Sequence, residues 1–263
     1  MPLRVEIDLT SDRDIAVWGY GGRAIHGLFM DLVNGCSPAL AGALHSQMPV
    51  KPFTTGIRCD LESREGKKVI PATNVFTLIV TALDETTEAA MYELLGLLLV
   101  KPRTVRFSGQ AADVRADRMS EQSLVMVTNG DIVSRAEPVD NPGLEFVSPT
   151  AFRRIETQVL LPEPDLVFGS IARKWEAFGE PSIVCDLEPF LGGIQIKRYN
   201  LETRMIQFGK FRQIGFVGSV EFDVRKLPEQ VRWYLDVLTA YSWFSGVGAK
   251  TTMGMGRVAP FRT

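Results

Sequence analysis

Two stretches of this chain run through the same order of hydrophobic periodicities, and that repeated order limits the fold more than any other feature. Residues 3–9 read Leu-Arg-Val-Glu-Ile-Asp-Leu. A period of two with one apolar face is the pattern of a half-buried strand. After a turn-like segment at 18–22, residues 23–33 place Ile25, Leu28, Phe29, Leu32 and Val33 at helical spacing, closed by Gly35. Strands are expected near 57–62 and at 75–82. A helix follows at 86–100 with Met91, Leu94, Leu95 and Leu98 on one face and Pro102 as its stop, then a short strand at 103–107. The first half therefore reads β-α-β-β-α-β.

The stretch 129–143 holds Gly130, Asp131, Pro138, Asp140, Asn141, Pro142 and Gly143, and such a density of turn formers predicts a linker. Beyond it, strands are expected at 144–152, 182–187, 195–208 and 215–224, with a helix at 164–178. Pro228 opens a second helix carrying Val231, Tyr234, Leu235 and Leu238 as far as Gly246, and a last strand covers 257–261. The order repeats with one extra hairpin. The expected class is α+β, as two tandem ferredoxin-like (βαββαβ) domains over 1–138 and 139–263. The two halves show no repeat at the level of residues, so the duplication rests on element order.

Composition agrees with a two-domain globular protein. The 263 residues divide by a prior of about 150 per domain into roughly two, and 45% hydrophobic with 23% charged residues excludes a disordered or fibrous chain. The longest nearly unbroken apolar run, 94–100, is far short of the roughly 18 residues of a membrane helix. The start, Met-Pro-Leu-Arg-Val-Glu, lacks a basic segment followed by an apolar one, so no signal peptide is expected. Cys36, Cys59 and Cys185 are odd in number and widely spaced, which fits a reducing cytoplasm rather than a disulfide framework. The net charge of −2 is not the footprint of a nucleic-acid binder. Residues 1–150 carry 14 Lys and Arg against 19 Asp and Glu, whereas 151–263 carry 15 against 12, so any affinity for phosphates is expected in the second half.

Three groups of residues have chemical potential. The first is Gly246-Val-Gly248-Ala-Lys250-Thr-Thr-Met-Gly254-Met-Gly256 followed by Arg257. Paired glycines permit positive φ, and exposed amides beside Lys250 suit phosphate oxygens. Ala249 precedes Lys250 and the loop follows a helix, so it is neither a Walker loop nor a dinucleotide fingerprint. A glycine-rich turn joining the last helix to the last strand has the same spacing. The second group is His26 on the first helix and His45 in a short helix after Pro38, with Lys51 six residues on. Two histidines and scattered cysteines make a poor zinc site, and no metal site is expected. An imidazole exchanges protons near neutral pH, and an ammonium stabilises charge growing on phosphorane oxygens. A lone histidine is as readily a surface or satisfied core residue. The third group puts cations beside aromatics: Arg173-Lys174-Trp175, Lys197-Arg198-Tyr199 and Lys210-Phe211-Arg212. Such groups hold phosphates and stack bases, although amphipathic strands produce the same pattern. Asp12-Arg13-Asp14 reads as a solvated turn.

The glycine loop near the C-terminus, preceded by an amphipathic helix and Phe216-Val-Gly-Ser-Val-Glu-Phe222, resembles the RAMP superfamily of CRISPR-associated RNA-binding proteins. Gly27-Leu-Phe-Met30, residues 40–45, Lys51-Pro-Phe-Thr54 and Phe146-Val-Ser-Pro-Thr150 resemble the precursor-CRISPR-RNA endoribonucleases, the sixth Cas family. That resemblance implies cleavage of a CRISPR repeat transcript without cofactor or metal. The RNA's 2′-OH attacks the adjacent phosphate and leaves 2′,3′-cyclic phosphate and 5′-OH ends. It places the catalytic histidine on His45 and the lysine on Lys51. Where the family often has a tyrosine this chain has Met30, and His26, one turn away, is the candidate second acid or base. Gly246, Gly248, Lys250, Gly254, Gly256 and Arg257, with Arg153, Arg154, Lys197 and Arg198, are the expected RNA contacts. The implied partners are repeat RNA, other CRISPR effector proteins and a second copy of the chain, with no membrane. A non-catalytic RAMP subunit holding guide RNA would share the loop but need no histidine.

Overall fold

Alternation at the start of the chain becomes strand β1 (Leu3–Thr10), with Leu3, Val5, Ile7 and Leu9 fully buried on one face. The structure is a computed structural model that describes residues 1–17, 22–45, 48–64, 67–101, 103–114, 124–183, 185–208 and 211–262. The turn at 18–21, Pro102 and Lys210 lie outside the described residues. Contacts divide the chain into two units. One comprises Met1–Met126, Ile206–Gln213 and Thr252–Gly254; the other comprises Val127–Met205, Ile214–Thr251 and Met255–Thr263.

In the first unit β1 is followed by β2 (Ile15–Ala16), α1 (Gly22–Asn34), α2 (Pro38–His45), β3 (Phe53–Arg58), β4 (Glu62–Arg64), β5 (Lys67–Ile70), β6 (Phe76–Ala82), α3 (Glu85–Val100), β7 (Arg103–Phe107), β8 (Gln110–Val114) and β9 (Leu124–Met126). The main sheet runs β3-β6-β1-β8-β7, with β9 also on β1. Its pairings are antiparallel. Counting β1, β3, β6 and the β7–β8 pair as the four positions of a βαββαβ unit gives the order 2-3-1-4 of a ferredoxin-like fold. The helical stripe Ile25, Leu28, Phe29, Leu32 and Val33 is buried in the same cluster as Met91, Leu94, Leu95 and Leu98 of α3. Fully buried Phe29, Phe53, Phe76 and Phe107 each contribute about 1.5–3 kcal/mol relative to exposure.

The second unit holds α4 (Asn129–Ser134), β10 (Pro142–Thr150), β11 (Phe152–Arg154), β12 (Thr157–Val159), α5 (Pro164–Phe178), β13 (Gln195–Phe208), β14 (Phe211–Asp223), α6 (Glu229–Ser245) and β15 (Val258–Arg262). The ends of β13 and β14 at 206–208 and 211–213 group with the first unit. The sheet order β13-β14-β10-β15 is again 2-3-1-4. The chain thus has two tandem ferredoxin-like folds.

Three expectations need correction. The strand placed at 57–62 is β3, Phe53–Arg58. Consecutive Thr54 and Thr55 point to opposite faces and are both buried and polar, with Thr54 Oγ1 2.5 Å from Thr81 Oγ1, so no apolar alternation marked it. The patch at 129–143 is not a plain linker. Thr128 caps α4 with a reciprocal bond from Asp131, and turn-forming residues are good N-caps for the same reason, a short side chain that reaches the backbone. The strand expected at 182–187 is not formed among the described residues. Asp186 instead accepts the Glu188 amide at 3.0 Å ahead of a 3₁₀ turn, Glu188–Gly193. Among the described residues no helix is long and apolar enough to cross a membrane.

Candidate active site

His26, His45, Lys51 and the backbone of Thr252 all belong to the first unit. Helix α1 carries His26 at the edge of its apolar stripe, half-buried, with its ring stacked on Phe53 (centroids 6.0 Å apart, 18° between planes). Phe53 itself packs on Phe29, so the imidazole sits on an aromatic floor that belongs to the core. His45 is the last residue of α2, exposed, and its ring centroid lies 6.2 Å from that of His26. Ala41 and Leu44 are the buried anchors of this short helix. Lys51 Nζ donates to the Leu44 carbonyl at 2.9 Å. Helix ends leave carbonyls without partners and concentrate partial negative charge there, so an ammonium is well placed at that end.

His26 Nδ1 lies 3.1 Å from the Thr252 carbonyl oxygen. A carbonyl only accepts, so Nδ1 carries the hydrogen and, in the neutral ring, Nε2 keeps its lone pair. Burial pushes the His26 pKa below the ordinary imidazole value; nearby His45 and Lys51 push the same way, while the bond to Thr252 opposes them. The result is a neutral imidazole with a fixed tautomer, a second imidazole in ring-to-ring reach, and an ammonium tied to the second one's helix. Such a set can remove one proton, deliver another and stabilise charge on phosphate oxygens. Met30 is partly buried against the core and offers no group to this chemistry.

The glycine-rich loop differs from expectation in its physical role. Gly246, Gly248, Gly254, Gly256 and also Lys250 have positive φ. Several of the amides, however, bond within the fold. Gly246 donates to Ser242 O, Val247 to Gly256 O, Gly248 to Ser170 Oγ, Ala249 to Ala151 O, Gly256 to Pro149 O and Arg257 to Ser148 Oγ. Those bonds take up the amides of Gly246, Gly248 and Gly256 that were expected to cradle phosphate, so glycine is needed at these positions for close packing. A Cβ on Gly256 would stand 2.0 Å from Val247 O. Beneath the loop Lys174 is buried and donates to the Ser245 carbonyl, to Gly246 O at 3.4 Å and to Thr251 Oγ1 at 3.2 Å. Its pKa is pushed down to about 7, by burial first and by Arg173 second. Lys250 is the exposed cation of the loop.

The other expected RNA contacts are unequal. Arg198 and Arg153 are exposed, the latter donating to Ile155 O at 3.1 Å. Arg154 is already shared by Glu163 (2.8 Å) and Asp165 (2.7 Å), and Lys197 pairs with buried Glu221; phosphate would have to compete with those carboxylates. Lys174 and Trp175 are buried, which removes them as a surface stacking pair. Tyr199 and Phe211 are 67% and 69% exposed.

A family model described as CRISPR-associated endoribonuclease Cas6 matches residues 144–258, which span β10 to the start of β15 and include the glycine loop. A Mycobacterium tuberculosis protein named CRISPR-associated endoribonuclease Cas6 is 33% identical over 120 residues, 44% of this chain and 37% of that protein. A solved Cas6 product complex superimposes with a TM-score of 0.79 at 26% identity, covering 99% of both chains. Over residues 144–258 the chain is similar to Cas6 endoribonucleases, and its fold matches a solved Cas6 over nearly its whole length. A Thermus thermophilus Cas6 gives a TM-score of 0.71 at 27% identity over 99% of this chain and 98% of that one. The stretch shared with the curated M. tuberculosis Cas6 is just over a third of that protein's length.

Two participants of the histidine site, and one support of the glycine loop, escaped the sequence. Thr55 donates to the same Thr252 carbonyl at 2.8 Å. Only the oddity of two adjacent threonines beside an inward Phe53 hinted at it. The Thr252 carbonyl is backbone and carries no sequence signal. Lys174 looked like a surface cation. Lys174→Met is expected to leave the carbonyls at the end of α6 without this donor and to cost about 1–3 kcal/mol. A denaturant titration of the two proteins measures it.

Proposed function

We propose that this chain is a metal-independent endoribonuclease that cuts CRISPR repeat transcripts into guide RNAs. The observation that carries this reading is the pair of imidazoles 6.2 Å apart with Nδ1 of His26 committed to a backbone carbonyl. In the proposed reaction Nε2 of His26 takes the proton of the 2′-OH. The 2′-oxygen then forms a bond to the adjacent phosphorus, and the ammonium of Lys51 stabilises the charge on the non-bridging oxygens. The bond from phosphorus to the 5′-oxygen breaks as that oxygen receives a proton from His45. The products are a 2′,3′-cyclic phosphate and a 5′-OH, and the two histidines end with exchanged protonation states.

Support also comes from kinship with proteins named endoribonucleases and from the product complex of a similar chain. Lys250, Arg257, Arg153 and Arg198 are the proposed contacts to the RNA backbone, with Tyr199 and Phe211 for stacking; Lys197 and Arg154 contribute less because their carboxylate partners must be displaced. The proposed division of labour places the acid–base pair in the domain over 1–138 and these contacts in the domain over 139–263. Incubation with repeat RNA in excess EDTA is expected to give a cut, and replacing the single ribose before the cut by deoxyribose is expected to abolish it. Intact RNA in EDTA would instead favour a guide-holding subunit, and cleavage at the deoxyribose would exclude 2′-OH attack.

A further inference from the structure

One carbonyl oxygen in the first unit accepts two hydrogen bonds, and the two donors are of different kinds. Thr252 O receives Thr55 Oγ1–H at 2.8 Å and His26 Nδ1–H at 3.1 Å. A carbonyl has two acceptor sites, so this pair fills it. Thr55 is 1% exposed and sits in mid-strand, with β3 paired to β6 through Thr55 and Val80. A β-branched side chain is stiff about χ1. The hydroxyl therefore has little freedom, and the carbonyl it grips is held by the sheet. His26 lies on a helix, stacked on Phe53 of the same strand. Sheet, carbonyl and imidazole thus form one chain of contacts, and its last member is the ring read as the base.

We propose that Thr55 is a positioning residue. By anchoring the Thr252 carbonyl it keeps the hydrogen on Nδ1 of His26 and the lone pair on Nε2, so the base is set in its working tautomer before RNA arrives. This rests on the reading of His26 as a base, yet the tautomer is measurable without substrate. A neutral imidazole with no acceptor at Nδ1 distributes its hydrogen over both nitrogens, and only the form with a bare Nε2 accepts a proton there. His45 and Lys51 are the charged or titratable neighbours that act on His26, and neither dictates which nitrogen carries the hydrogen.

The test compares the native chain with Thr55→Val and Thr55→Ser by ring ¹⁵N spectroscopy at a pH where His26 is neutral, with His26→Ala to assign the signal. The native chain and Thr55→Ser are expected to show a protonated Nδ1 and a bare Nε2, and Thr55→Val a mixture. On repeat RNA Thr55→Val should lose about tenfold in kcat, the scale seen when an outer partner of a functional imidazole is removed, with KM within about twofold and most of the loss restored by serine. A proton on Nε2 of the native ring overturns the proposal. So does a Thr55→Val protein with unchanged tautomer and kcat, or equal losses in valine and serine variants that follow a fall in melting temperature. If the native chain cuts no RNA, the functional reading fails while the ring spectra still decide the role of Thr55.

Discussion

His26→Ala and His45→Ala should each slow cleavage of repeat RNA by about 10²–10⁴-fold, the usual worth of one positioned acid or base. The losses should fall on kcat, because both groups act on protons that move only in the transition state. Single-turnover rates at saturating protein measure this directly, and a native rate in either variant removes that residue from the reaction. The pH profile separates the two. Burial lowers the His26 pKa, so the acid limb of the native profile should lie below the ordinary imidazole value of about 6.5. The same shift has a consequence for stability. The unfolded chain binds a proton at that histidine near pH 6.5 whereas the folded chain resists until lower pH. The contribution of His26 is then fully present above about 6.5 and is lost as pH falls from there through the folded value. A melting curve against pH should lose this component in His26→Ala.

Gly256→Ala should be the most damaging small change in the glycine loop. The residue has a φ of +70°, and an added Cβ would stand 2.0 Å from Val247 O, with Thr251 Cγ2 3.0 Å away. The clash is with a backbone oxygen of the residue whose amide donates to Gly256 O at 2.7 Å, so relief must shift backbone rather than a side chain. Left-handed strain costs about 1–3 kcal/mol and overpacking a similar amount, giving an expected loss of about 3 kcal/mol or more. Chemical denaturation measures it, and a loss under about 1 kcal/mol would show that the loop rearranges freely. Repeat-RNA affinity should fall with it, since Lys250 and Arg257 ride on the same loop. Lys250→Ala, which keeps the Cβ and the loop backbone and removes the exposed ammonium, should weaken RNA binding.

The fold was legible because its elements announce themselves by period. Residues 3–9 alternate and 23–33 follow a helical stripe, and both are buried as their patterns require. Helix α5 begins and ends where expected, with Pro164 at its start. Where the reading failed, the signals were ambiguous in kind. Thr54 and Thr55 are polar yet buried, because Thr54 meets Thr81 and Thr55 meets a carbonyl, and a hydropathy pattern cannot register burial satisfied by hydrogen bonds. Gly130 and Asp131 look like turn formers, and the cap that made them helical is a bond between Thr128 and Asp131.

Residue types and spacing alone supplied the tandem βαββαβ order, the two histidines with Lys51, and the glycine loop with its cations. These are one-dimensional facts: a side chain's pKa class, a period of 2 or 3.6, a residue without Cβ. Tertiary structure alone decided that the rings of His26 and His45 come within 6.2 Å, that Lys174 lies under the loop rather than on the surface, that the amides of Gly246, Gly248 and Gly256 bond inward, and that a backbone carbonyl sets which nitrogen of His26 stays bare. Each depends on atoms far apart in the chain, and one of them on a peptide oxygen that every residue possesses. Hydrogen bonds and burial act over a few ångströms in space, without regard to separation along the chain, so no pattern of neighbouring letters encodes them.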